Sequence, residues 1–433
     1  MDAVQLLEES KAFCMLPWVH MNVATDGRVL PCCVSDWERP VGSLRDTTLQ
    51  ELWNSQGMRR LRLDMLASRK RSQCRHCYKL EESGFPSLRQ YANKRFARHF
   101  PIARTTRPDG SLETMRLPYL DVRFSNVCNF RCRICSPEIS SAWHGDAKDL
   151  WGYSGPKVLT PTKDPEELWR QIEPLLPDLE EIYFAGGEPL INDEHYRILE
   201  LLAKNKLFDI RIRYHTNFFV MTHRGWDAMK LWDQFHSVEV RASLDGMGRR
   251  GEYLRKGMAW EQVLKNRKRM AEICPRAGFA VEPTVCLMNA LHLPDFHKEW
   301  LEQGLIEPGR WRLHMLEFPQ EYCVQALPAA FKRQVAEKYE HHIEKTLEPR
   351  RKNDERFHKT AMDLHAQGRI KTKAYSSEAL SDADHYRLAL RFLSARDQSS
   401  LLSKFRETTH KLDRLRGEKF SGIFPELAGL MRE

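Results

Sequence analysis

The sequence predicts an α/β chain: a partial (β/α)6 TIM-like barrel, preceded by a small cysteine-rich module and followed by a helical C-terminal region. Three observations predict it. Short β-like runs alternate with helical patterns over residues 118–320, as in a parallel sheet crossed by helices. Cysteines and turn signals crowd residues 11–100, and beyond 320 the pattern becomes helical and highly charged. At 433 residues the chain exceeds what one core usually serves, and 42% hydrophobic residues suffice to bury a real core. The boundaries read in this way are 11–100 for the module, 101–117 for a linker, 118–320 for the barrel and 321–433 for the C-terminal region. The linker is marked by the turn signals of Arg107-Pro108-Asp109-Gly110-Ser111.

Six runs supply the barrel strands: 118–124, 181–186, 209–217, 237–246, 278–288 and 310–318. Between them, 165–176, 224–235 and 258–273 carry apolar residues at helical spacing. Barrels of this type place their chemistry at the C-terminal ends of the strands.

Bulk properties narrow the classes. The acidic N-terminus lacks the apolar stretch of a secretory signal, and no run approaches the roughly 18 apolar residues of a membrane span. A soluble, cytoplasmic protein without a membrane partner is expected. The formal charge of +9 is modest for this length. Runs such as Arg350-Arg351-Lys352 and Arg414-Leu415-Arg416 read as solvated helix faces rather than a nucleic-acid surface. Eleven cysteines in a reducing compartment point to metal or redox chemistry, not disulfides. Cys274, Cys286 and Cys323 are scattered and read as small buried hydrophobes.

The first cysteine group follows the first barrel strand: Cys128-Asn129-Phe130-Arg131-Cys132-Arg133-Ile134-Cys135, a C-x3-C-x2-C run. Thiolates this close can converge on one iron–sulfur cluster, and three ligands leave one iron of a four-iron cubane open. A zinc knuckle completed by His144 is the competing reading of the spacing alone.

In this setting the run resembles the signature of radical S-adenosylmethionine (SAM) enzymes. The resemblance implies a [4Fe–4S] cluster whose open iron is chelated by SAM, reductive cleavage of SAM, and a 5′-deoxyadenosyl radical that abstracts hydrogen from a substrate. Phe184-Ala185-Gly186-Gly187-Glu188-Pro189, closing the second strand, resembles the family's GGEP motif. Gly186 and Gly187 permit close backbone approach, and the Glu188 carboxylate suits the cofactor's ammonium. Ser243-Leu244-Asp245-Gly246, with Arg255 ten residues after Asp245, resembles the S-x-D-G…R pattern. That implies Ser243 and Asp245 near the ribose and Arg255 facing the cofactor carboxylate, which its fork can bind in two places. An ordinary turn and a surface arginine are the alternative. Asn217, Phe130 and Ile134 complete the cofactor-binding set. Ile134 departs from the pattern, where an aromatic residue usually packs on the adenine. No catalytic residue is assigned beyond the cluster.

The second group has its own order: Cys14, then Gly27, Cys32, and a Cys74-x-x-Cys77 pair. Asp26-Gly27 reads as a hairpin turn that brings Cys14 and Cys32 side by side. The pattern resembles the twitch module, a shortened relative of the SPASM domain, and implies a second, auxiliary [4Fe–4S] cluster held by Cys14, Cys32, Cys74 and Cys77. Four cysteines make a closed site, and a zinc ribbon would use the same ligand set. Cys33 is read as structural. Such modules generally follow the barrel, whereas this one precedes it, which leaves its distance from the active site open.

Strand alternation puts Arg213, His215, Glu239 and Arg241 on the face shared by Asn217, Ser243 and Asp245, with Glu282 and His314 joining them. Barrel interiors are mostly filled by branched apolar residues. Charges there point either to a polar substrate or to an internal salt-bridge network. The resemblance implies a small-molecule or peptide substrate, modified by oxidation of a sugar or aminocyclitol or of a peptide, and an electron donor such as flavodoxin or ferredoxin. No precursor-binding segment is evident ahead of the module, which tilts the expectation slightly away from peptides. The competing class is a zinc-containing nucleic-acid or protein binding module without catalysis, its basic C-terminal helices contacting nucleic acid.

Overall fold

A computed structural model describes residues 2–350 and 380–432; Arg351 and Lys352 of the first basic run lie outside them. In the N-terminal module, β1 (His20–Val23) runs antiparallel to β2 (Arg28–Leu30), and β2 to β3 (Gly42–Ser43). The expected hairpin turn is present at Asp26-Gly27. Gly27 sits at φ +90°, where a Cβ would also meet the Pro161 carbonyl oxygen at 2.5 Å, so glycine is required on two counts.

The barrel strands β4 (Tyr119–Val122), β5 (Glu181–Phe184), β6 (Arg211–Thr216), β7 (Ser237–Ala242) and β8 (Gly278–Val281) pair in parallel and in chain order. β1 pairs in parallel with the free edge of β4, with Asn22 opposite Asp121. One sheet therefore runs β3–β2–β1–β4–β5–β6–β7–β8, and the module's hairpin is built into the barrel's own sheet.

The last two strands are shorter than their sequence runs suggest. The run 278–288 breaks at Glu282-Pro283, because proline has no N–H for the ladder. It resumes as β9 (Thr284–Val285), which pairs in parallel with β10 (His314–Met315), while Trp311 bridges to Val281. The helices shorten for similar reasons. Pro165–Ile172 starts on the Asp164 cap and tightens into a 3-10 turn at Glu173–Asp178, where Pro174 and Pro177 lie. Of 224–235 only Ala228–Trp232 is α-helical, capped by the Asp227 carboxylate.

The sheet has two contrasting faces. Leu120, Val122, Ile182, Phe184, Ile212, Tyr214, Val238 and Val240 are buried, and the contacts of Tyr214 with Trp232 and of Phe184 with His195 place this face under the crossing helices. The alternate positions point inward and are polar: Asn22, Asp121, Tyr183, Arg213 and Glu239 are register partners across five strands. The usual apolar filling of a barrel is absent from this level.

C-terminal helices Ala329–His342, Asp382–Ala395 and Leu402–Arg416 pack on the barrel. Asp382 accepts hydrogen bonds from the amides of Gly309 and Trp311 at 2.8 and 3.1 Å. The reading of Arg414-Leu415-Arg416 as one solvated face is corrected here. Arg414 and Leu415 are exposed, but Arg416 is buried, paired with Asp146 at 2.8 Å and set over the Trp143 ring. Burial of a charged head requires such a partner, and only the fold reveals it. Cys274, Cys286 and Cys323 are buried, as expected of small hydrophobes. No helix among the described residues is long and apolar enough to cross a membrane.

Candidate active site

The three-cysteine loop leaves β4 and is held by its own backbone and neighbours. The Cys128 amide donates to Ser141 Oγ (3.2 Å), the Phe130 amide faces Cys128 Sγ (3.4 Å), and the Trp143 indole N–H donates to the Cys132 carbonyl (2.6 Å). Burial, then neighbouring Cys132 and Glu188, push the Cys128 thiol up to about 12. A hydrogen bond between Cys132 and Cys135 lowers the first and raises the second. Thiols bind a metal centre as thiolates, giving up their protons to do so. Phe130 is buried and Ile134 half-buried.

Gly187 sits at φ +49°, where a Cβ would lie 2.3 Å from the Val127 carbonyl oxygen. The close approach it permits is that of the chain's own cysteine loop to the end of β5. Gly186, at φ +84°, lies against the Arg123 side chain in the same way. Glu188 is buried; it accepts from the Thr216 hydroxyl and the Asn217 amide, each at 2.6 Å, and burial raises its carboxyl to about 7. It thereby ties the ends of β5 and β6 together. The Asn217 side chain donates to Asn129 Oδ1 in the cysteine loop (2.8 Å).

Arg255 is no surface arginine. Arg255–Lys256 pairs antiparallel with Arg131–Cys132, and the buried guanidinium lies 2.8 Å from Asp245 and 3.8 Å from Cys132 Sγ. Asp245 also accepts from the Thr284 amide (2.8 Å), and the Ser243 amide donates to the Thr216 carbonyl (2.8 Å). The residues of three separate motifs thus meet at one loop.

That loop is clamped from the far end of the chain. Arg133, between the second and third cysteines, has a side chain with no solvent exposure; it reaches Asp413 at 2.5 Å and Glu418 at 2.7 Å over the Tyr253 ring. Tyr253 also donates to Asp413 (2.7 Å), and Lys256 pairs with Glu418 (2.9 Å).

The second group is different in kind. Cys14, Cys32, Cys74 and Cys77 line one apolar cavity with Leu16, Pro31 and Met65, and Cys33 is not part of its wall. Burial holds all four thiols above their ordinary range, Cys74 at about 12. Cys33 instead looks toward the barrel: after burial, its thiol is perturbed most by Asp121, Arg123 and Arg213.

The six inward charges expected from strand alternation come together in one network. Arg213 donates to Glu181 (2.6 Å), Arg211 and Arg241 to Glu239 (2.9 Å each), and Arg241 pairs with Glu282 (3.1 Å), which also meets His215 and His314. Burial opposes ionisation of Glu239, and Arg241 and Arg312 outweigh it, holding the carboxyl far below its usual range. Tyr91 of the module reaches in to donate to Glu181 (3.1 Å). Sequence reasoning missed two residues of this face. Asn22 and Asp121 have no solvent exposure and stand opposite each other on paired strands; Arg123 Nε is 3.9 Å from Asp121. Burial raises the Asp121 carboxyl to about 6, against the pull of Arg123. The period-two rule applied to Tyr119-Leu120-Asp121-Val122-Arg123 carried that signal.

Two family models match parts of the chain. Residues 122–303 match the family model of the Radical SAM superfamily, and residues 14–78 match SPASM, an iron–sulfur cluster-binding domain. Among solved structures, anSMEcpe with bound AdoMet and Cp18Cys peptide is similar at 17% identity, covering 51% of this chain and 58% of that chain, with a TM-score of 0.35. SuiB of Streptococcus suis bound to S-adenosylmethionine is similar at 14% identity, covering 61% of this chain and 56% of that chain, with a TM-score of 0.38. The chain thus spans just under three-fifths of the length of either. No curated protein matches it. A radical SAM domain carries a [4Fe–4S] cluster with SAM, and a SPASM domain carries auxiliary iron–sulfur clusters; the cysteine loop and the four-cysteine cavity fit the two groups. The zinc-containing binding module gains no support, and His144 has its Nε2 at the Gly155 carbonyl (3.3 Å).

Proposed function

We propose, on the premise that a radical SAM domain here carries a SPASM module ahead of it, that the chain is an enzyme that draws hydrogen from a polar substrate held inside the barrel. The outcome is net oxidation or modification of a sugar or aminocyclitol, or of a peptide. The observation that carries this reading is the charged inward face, where Arg213, Glu239, Arg241 and Glu282 form one network and the buried Asn22 and Asp121 are register partners. When bound, the loop cluster with SAM supplies a 5′-deoxyadenosyl radical, and the auxiliary cluster supplies an acceptor for one electron.

The chain's own residues do the rest. Cys128, Cys132 and Cys135 hold the first cluster, and Cys14, Cys32, Cys74 and Cys77 the second. Arg255, Asp245, Ser243, Glu188 and Asn217 hold the polar parts of SAM, Gly186 and Gly187 let the cysteine loop and Arg123 close on the end of β5 beside it, and Phe130 and Ile134 shape the apolar wall. Arg213, His215, Glu239, Arg241, Glu282 and His314 orient the substrate's polar groups. Oxidation of a C–H bond beside a hydroxyl or amine releases a proton as well as an electron. Asp121, whose carboxyl titrates near 6, is matched in strength to take that proton near neutral pH. A reduced flavodoxin or ferredoxin starts the cycle.

The test is anaerobic. Reconstituted, reduced protein should release 5′-deoxyadenosine from SAM. The Cys128/Cys132/Cys135→Ala variant should release none, while keeping about half the iron as a [4Fe–4S] Mössbauer signal. Iron-replete natural protein that leaves SAM intact would sink the proposal.

A further inference from the structure

Three inward side chains converge closely enough to share one cation. The ligand-capable atoms of His215, Glu282 and His314 all lie within 4.8 Å of one another. They come from β6, the break after β8, and β10, all at the C-terminal side of the sheet. Glu282 Oε2 is the common point: it lies 3.0 Å from His314 Nε2 and in contact with His215 Nε2. Two imidazoles and a carboxylate are a ligand set for divalent first-row ions, and three protein ligands leave coordination positions open.

The surroundings are those of an oriented site. His215 Nδ1 faces the Tyr183 hydroxyl, which fixes the ring and leaves Nε2 for the centre. Glu282 Oε1 is held by Arg241 (3.1 Å) and Arg312 (3.8 Å). Outer partners of this kind fix ring and carboxylate orientation in metal sites. The two arginines would repel an ion if they were uncompensated. They are shared with Glu239 at 2.9 and 3.5 Å, which also accepts from Arg211 at 2.9 Å, so Glu239 offsets part of their charge.

We propose that His215, Glu282 and His314 bind a divalent first-row ion of the zinc class inside the barrel, separate from both cysteine sites. Its open positions would receive an oxygen or nitrogen group of the substrate. The proposal needs neither cluster nor SAM, so it stands or falls apart from the radical chemistry.

Anaerobically reconstituted protein, desalted and dialysed against rising free zinc, should take up one zinc per chain with its iron unchanged, both read by inductively coupled plasma mass spectrometry. His314 is more than half exposed, so His314→Ala should fold, keep its iron and bind that zinc about 100-fold or more weakly. Glu282→Gln should do the same. Three results overturn the proposal: no zinc beyond the iron at tens of micromolar free zinc, zinc that displaces iron, or zinc retained undiminished in both variants.

Discussion

The two cysteine sites solve opposite problems. The four-cysteine cavity is walled mostly by apolar side chains, with one guanidinium, Arg89, paired to Glu81. The three-cysteine loop is set among charges: Arg255 beside Cys132, Arg133 between Asp413 and Glu418, and Arg131 and Arg416 on Asp146. A closed cluster needs only insulation and rigidity. An open one must keep a coordination position and a zwitterionic ligand in register, and fixed charges do that better than packing because they act on the charged groups themselves. The chain invests its C-terminus in that task, so the loop can be perturbed from far away in sequence.

The largest effect that would sharpen the contrast comes from Arg133→Met. It leaves buried Asp413 without its cation and Glu418 with Lys256 alone, and breaking a buried pair in this way costs about 3–5 kcal/mol. Urea unfolding of the reconstituted protein should show that loss. Iron should leave the loop cluster first, so the remaining Mössbauer signal should be that of the cavity cluster. Equal loss from both sites would break the comparison.

Next comes Glu188, ionisable and buried on the loop side. Its folded carboxyl is raised from 4.5 to about 7 by burial, equivalent to roughly 3 kcal/mol. The folded chain therefore holds this proton more tightly than the unfolded chain does. The stabilisation is complete below about pH 4.5 and is lost as pH rises through 7. Relative to Glu188→Gln, the natural apoprotein should lose stability between pH 4.5 and 7 and then level off. Equilibrium unfolding at a series of pH values checks the slope, and a difference that is flat with pH would remove Glu188 from the charged side of the comparison.

The same contrast explains what could be read in the sequence. The cysteine loop, the Gly186-Gly187-Glu188 turn and the Asp26-Gly27 hairpin are local, and their spacing alone fixes their geometry. The barrel strands were legible by period. The pairing of β1 with β4 was not, because it joins His20 to Tyr119 across 99 positions, and nothing in either run names its partner. The clamp was hidden for the same reason: Arg133 and Asp413 are 280 positions apart, and Arg416 in sequence looks like any basic residue on a charged helix. The shortening of the last strands was available in Pro283 but needed the ladder to show its consequence. On the inward face, alternation identified Arg213, His215, Glu239 and Arg241 yet stopped short of Asp121, whose strand was read only as the support of the cysteine loop.

A smaller effect tests whether charge at the loop serves the cofactor. Arg255→Met removes the cation beside Cys132 and leaves Asp245 with its Thr284 amide partner. A hydrogen bond involving a charged group contributes about 1.5–3 kcal/mol, so SAM should bind roughly 10- to 150-fold more weakly to the reconstituted variant in anaerobic calorimetry. Unchanged affinity would reduce Arg255 to a structural partner of Asp245.

The smallest expected effect is the one that separates the two sites most cleanly. Cys32 and Cys33 are adjacent in the chain, yet only Cys32 lines the four-cysteine cavity, while Cys33 feels Asp121 and Arg123 on the barrel side. Cys32→Ser should cost the cavity cluster, about half of the iron; Cys33→Ser should cost none, because it removes no ligand. Iron content and the Mössbauer spectrum of the two variants, prepared side by side, decide it. If Cys33→Ser also empties the cavity, the boundary between an insulated cluster and a charged barrel does not run between these two residues, and Cys33 belongs to the ligand set.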